Sequence, residues 1–178
     1  MGFTKKDILS VKNEMENAIN SVFSSTGITS YPSKLKSLIN LLQNNRVLNV
    51  LTTPYFKANI NFKDIEIERG DNQLELVLPE DTNKKIAFVL QKLKAIIESN
   101  NSDEIYDYTY NIYSHRSYVE NIYKWNMEIL KPSLDEILNS IDRLIKTDSK
   151  EKVYIDIRVS SIVNKNNVYI NNSSNVAI

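Results

Sequence analysis

The chain has 178 residues, enough for one domain with its own core, or a domain with a small appendage. Lys+Arg and Asp+Glu balance at 22 each, and this zero net charge argues against a nucleic-acid binder held mainly by phosphate neutralisation. No cysteine, one histidine and three glycines exclude disulfides and thiol chemistry, argue against histidine metal sites and triads, and leave little for phosphate-cradling loops.

Residues 4–24 read as an amphipathic helix. Ile8, Val11, Met15, Ala18, Ile19 and Val22 form its stripe, and Thr4 with Asp7 makes a capping pair. Gly27 marks its end. A second helix is expected over 33–44, with Leu35, Leu38, Ile39 and Leu42 as its stripe and Pro32 near its start. Residues 46–55 are apolar without a clear period and read as a packed linker ended by Pro54. Ile60 and Phe62, then Ile65 and Ile67, alternate on opposite parity, which predicts a strand over 57–68 with a bulge near Lys63. The turn 69–72 and the alternating Leu74, Leu76 and Leu78 complete a hairpin.

Asp81 or Thr82 caps a helix over 83–98, striped by Ile86, Val89, Leu90, Leu93 and Ile97. Residues 103–146 keep a helical pattern that Pro132 interrupts. Ser133 to Glu136 reads as a capping box, so two helices are expected, 103–130 and 134–146. Val153, Ile155, Ile157 and Val159 alternate as a strand, 164–167 forms a turn, and Val168 to Ile170 begins a last strand. The expected class is α+β. A helical hairpin (1–45) precedes an α+β domain (46–178) of long helices on a small antiparallel sheet made by joining two β-hairpins.

The aromatic helix is the leading candidate site. Tyr106, Tyr110 and Tyr113 share one face by spacing, with Tyr108, Tyr118, Tyr123 and Trp125 around them. Tyrosine and tryptophan supply large contact area with a polar end, so this face reads as a protein-contact surface. The plainer reading is a helix packed in its own core. Val168 and Ile170 are a second candidate, an extended arm that adds a strand to a neighbour, against a frayed terminus for the residues after 172. His115 beside Arg116 has no second histidine and no nucleophile phrase, so a solvated side chain is expected. Asp64, Glu66 and Glu68, with Glu75 across from them, read as a solvated strand face rather than a cation or acid–base site. Lys84, Lys85, Lys92 and Lys94 read as the polar side of a helix. No cofactor, metal, membrane span, nucleic acid or small-molecule substrate is expected.

One stretch resembles a known module. Glu16-Asn17-Ala18-Ile19-Asn20, Gly27-Ile28 and Tyr31-Pro32-Ser33-Lys34-Leu35-Lys36-Ser37-Leu38-Ile39 are similar to a short helical-hairpin module of bacteriophage tail, fibre and virion proteins. The resemblance implies a non-enzymatic assembly role in a phage-like particle, with the 1–45 hairpin as the docking or oligomerisation piece of a homo-oligomer touching other virion proteins, located in the virion or host cytoplasm. The alternative is a soluble binding or inhibitor protein that turns its Tyr-rich helix against a single partner.

Overall fold

The computed structural model describes residues 2–25, 27, 29–99 and 101–146, together with the backbone of 153–154. Helix α1 (Lys5–Phe23) starts where the capping pair places it. Thr4 N–H donates to Asp7 Oδ2 at 2.9 Å and Asp7 N–H donates to Thr4 Oγ1 at 3.1 Å, so two orphan amides of the first turn are satisfied reciprocally. Its buried stripe is Ile8, Val11, Met15, Ile19 and Val22. Helix α2 (Ser30–Asn44) begins three residues earlier than its apolar period indicates. Pro32 lies in the first turn, where its missing N–H breaks no intrahelical bond.

The expected linker is a third helix, α3 (Arg46–Lys57). Asn45 Oδ1 caps it, accepting from the amides of Val47 (3.0 Å) and Leu48 (3.3 Å). Its inner side is Val47, Leu48 and Thr52, all buried. Thr52 occupies a core position because its hydroxyl is satisfied there, within 2.9 Å of both the Leu42 and Leu48 carbonyls. Pro54 sits within the helix rather than ending it.

The first hairpin is shorter than its alternation predicts. Phe62–Asp64 form a 3-10 turn in place of the expected bulge, and the pairing is confined to β2 (Glu66–Glu68) and β3 (Leu74–Leu76). The register sets Glu66 opposite Leu76, Ile67 opposite Glu75 and Glu68 opposite Leu74. Gly70, Asp71 and Asn72 all take positive φ (85°, 47° and 60°), which glycine and the short polar residues accept most readily. The two expected hairpins do not join into one sheet among the described residues. Instead β4 (Val153–Tyr154) pairs antiparallel with β1 (Gly2–Phe3), a strand the sequence does not announce. The remainder of the second expected hairpin, including Val168 and Ile170, lies outside the described residues.

Helix α4 (Thr82–Glu98) is capped by Asp81 Oδ1, which accepts from the Lys84 amide at 2.9 Å. Its buried side is broader than the predicted stripe and takes in Ala87 and Phe88, because α2, α3 and α7 all pack around it. The long helical stretch breaks at a different place from the one expected. Helix α5 (Glu104–Tyr113) ends at Ser114, whose backbone is left-handed (φ 54°, ψ 23°). Helix α6 (Tyr118–Trp125) then runs through a π turn (Asn126–Leu130) straight into α7 (Lys131–Lys146). Lys131 N–H donates to Asn126 O, five residues back, and Pro132 follows immediately. The wide turn accommodates the proline without ending the helix. Ser133 is therefore no cap; its hydroxyl donates to the Ile129 carbonyl at 3.1 Å.

The arrangement is mostly helical with small antiparallel strand pairs, α+β in the broad sense. One cluster of buried side chains runs from Phe3 to Leu144 and draws on every α-helix. Across residue 45, α1 packs on α7, and α2 packs on α3 and α4. No helix among the described residues is long and apolar enough to cross a membrane.

Candidate protein-contact site

Helical spacing places Tyr106, Tyr110 and Tyr113 on one side of α5, but α6 packs onto α5 and divides them. Tyr106 turns inward. Its hydroxyl donates to the Gly27 carbonyl at 3.2 Å and its ring meets Tyr118 edge-on at 5.5 Å. Tyr108 is also buried, with its ring edge-on to Trp125 at 5.4 Å. Trp125 has no exposed surface and offers a partner nothing to touch. Its Nε1 is buried with no hydrogen-bond partner among the described residues, so packing holds it in place. Tyr113 is half-buried beside Glu128; burial and that carboxylate both push its phenol pKa upward. Among the described residues of the predicted contact face, Tyr110, Tyr118 and Tyr123 are exposed, at 54%, 39% and 63%.

The largest group of exposed apolar side chains lies on α6 and the π turn that follows it. Val119, Tyr123 and Met127 are four residues apart and are exposed at 37%, 63% and 43%. They form one strip along the outer side of a helix whose inner side is Ile122, Trp125 and Ile129. The aromatic pattern of the sequence marks Tyr118 and Tyr123 but passes over Val119 and Met127. The available signal was the period of four running opposite the buried residues.

The turn between α5 and α6 holds this strip in position. Asn121 is 1% exposed. Its Oδ1 accepts from the His115 amide at 3.1 Å and its Nδ2 donates to the His115 carbonyl at 3.0 Å. That two-pronged clamp fixes the chain just after left-handed Ser114. The His115 ring points toward Glu120, with Nδ1 3.6 Å from Oε2, and Arg116 is exposed. Nothing in this pairing resembles a nucleophile–base arrangement.

The acidic residues are dispersed. Glu66 and Glu68 share a face of the hairpin, while Glu75 lies on the opposite face beside Ile67 and pairs with Arg69. Glu66 is not solvated as expected. It accepts from the Tyr108 hydroxyl at 2.7 Å and pairs with Lys92 Nζ at 2.7 Å. Lys92 also lies over the rings of Tyr108 (4.6 Å) and Phe62 (5.2 Å). Lys92 is thereby removed from the basic row on α4, and Lys94 pairs with Glu98. No group of three or more potential metal ligands gathers among the described residues.

A groove of about 370 Å³ opens between β3, the end of α5 and the π turn. Leu74, Leu76, Ile112 and Ile129 line it, with Tyr113 and Glu128 among its polar groups. Its size falls in the range of binding clefts. Compared with known protein families, characterised proteins and solved structures, the chain matches none.

Proposed function

We propose that the chain is a non-enzymatic assembly protein of a phage-like particle, a subunit that works by docking one apolar helix face against another protein surface. The observation that carries the contact role is the exposed Val119–Tyr123–Met127 strip, with Tyr118 beside it. Exposed apolar surface of this kind costs solubility unless a partner covers it. The clamp at His115 supports the reading, because a preorganised surface loses little freedom on binding. The particle assignment rests on the resemblance of residues 16–39 alone.

Light scattering behind size exclusion tests self-assembly through this strip. The full chain is expected at a multiple of the single-chain mass. Tyr123→Ser with Met127→Ser is expected to return it to the single-chain mass with an unchanged melting temperature. An oligomer that survives both substitutions removes the strip from the interface. A single-chain mass at every concentration refutes self-assembly.

A second reading is favoured by the strip being one strip among the described residues. A head-to-tail ring needs two complementary patches, whereas one patch suits a two-fold dimer or a single foreign partner. A binding or inhibitor protein with one target would present this same surface.

A further inference from the structure

Among the described residues no strand pairs with the outer edge of β3, and that edge faces the groove. Arg69 N–H donates to Gln73 O at 2.9 Å and Val77 N–H donates to Ile65 O at 2.8 Å. Residue pairs in an antiparallel ladder alternate between bonded and non-bonded. The pairs 65:77, 67:75 and 69:73 are therefore bonded, and Glu66:Leu76 and Glu68:Leu74 are not. The amides and carbonyls of Leu74 and Leu76 consequently point away from β2. Leu74, Glu75 and Leu76 line the groove, whereas no residue of β2 does, so the groove lies on the outer side of β3. Open edges of this kind accept an added strand.

We propose that residues Val168, Tyr169 and Ile170 of the same chain dock in this groove as a third strand on β3. This inference does not rest on the proposed contact role of α6. The sequence pattern fits the edge: Val168 and Ile170 flank Tyr169 as half-buried Leu74 and Leu76 flank exposed Glu75. The stretch 164–175 carries one charge, Lys165, so docking it in a half-apolar groove desolvates little, and the groove holds Glu128 as a counter-charge. The thirteen residues 155–167, which connect β4 to the segment, span about 43 Å when extended. A domain of this length has a radius of gyration of about 16 Å, so the segment reaches the groove within one molecule.

Residue-resolved hydrogen exchange on the full chain tests the proposal. The Leu74 and Leu76 amides are expected to be protected in the native chain. In the full-length variant Val168→Asp with Ile170→Asp they are expected to exchange at least ~10-fold faster, about 1.4 kcal/mol of lost protection. The Ile67 and Glu75 amides, bonded within the hairpin, serve as the internal control and are expected to stay unchanged. A labelled peptide of residues 164–173 is expected to bind the variant and not the native chain. Rapid exchange of Leu74 and Leu76 in the native chain overturns the proposal. Protection that appears only as the mass doubles with concentration assigns the edge to a second copy and likewise overturns it.

Discussion

Replacing Lys92 by methionine isolates the most enclosed charge pair described here. Lys92 and Glu66 keep 19% and 14% of their side-chain surface exposed, with 2.7 Å between Nζ and Oε1. Methionine retains the apolar stem against Phe62 and Tyr108 but removes the ammonium. Glu66 is then left with only the Tyr108 hydroxyl among its described partners, and that neutral bond does not offset a carboxylate withdrawn from water. Breaking one side of a buried pair costs about 3–5 kcal/mol, and the residual exposure places this case at about 3. For a chain of this size that lowers the melting temperature by about 6–12 °C. Adding Glu66→Gln to Lys92→Met removes the orphaned charge and keeps an acceptor for Tyr108, so at least half of the loss is expected to return. Thermal and urea melts followed by circular dichroism read both variants. A single variant within 2 °C of the native chain, a threshold of roughly 1 kcal/mol, refutes the argument. So does a double variant whose loss is no smaller than that of Lys92→Met alone.

Two further predictions follow from the same packing. Asn121→Asp keeps the acceptor for the His115 amide but sets a second oxygen against the His115 carbonyl, so it is expected to destabilise by about 2 kcal/mol, more than Asn121→Ser, in urea titrations. An aspartate as stable as the native asparagine eliminates the clamp. Alkaline pH is expected to unfold the chain through its inward tyrosines. Burial pushes the Tyr106 phenol up to about 12, with Tyr118 and Asp103 adding to the shift, and burial also raises Tyr31 and Tyr108. The folded state then holds protons that the unfolded state releases near pH 10. Stability is therefore full below about pH 10 and falls as pH rises toward the folded value. The last part of the tyrosinate absorbance rise, from the inward phenols, should coincide with the loss of circular dichroism; ionisation of all ten tyrosines with the helices intact contradicts the assignment.

What the sequence reveals is what neighbours along the chain decide. The Thr4–Asp7 cap, the α1 and α4 stripes and the 69–72 turn are all local, and each is legible. Helix α3 is hidden because Thr52 holds a core position and Pro54 imitates a stop. The break at Ser114 carries no glycine or proline, since a left-handed serine is held there by Asn121 from the next helix. Pro132 gives the opposite error, because a wide turn just before it absorbs the missing amide. Spacing identifies which tyrosines share a side of α5, but not that α6 will cover that side. Glu66 looks solvated because its partner Lys92 is remote in sequence and arrives only with the fold.

The π turn sets the rotational phase of the whole rod from Tyr118 to Lys146. Inward residues from α6 into the start of α7 recur every four positions, at Ile122, Asn126, Leu130 and Leu134. In an ordinary α-helix each such step overshoots by about 40°, so three steps would carry the inward side about 120° off the core. The slack of one wide turn takes up most of that drift. The outward strip on α6 is thus aimed by five residues that mostly do not belong to it. Losing or gaining one residue within 126–130 would swing Val119 and Tyr123 by about 100° relative to α7. The direction in which this protein offers its apolar surface is written in a backbone irregularity rather than in the surface itself.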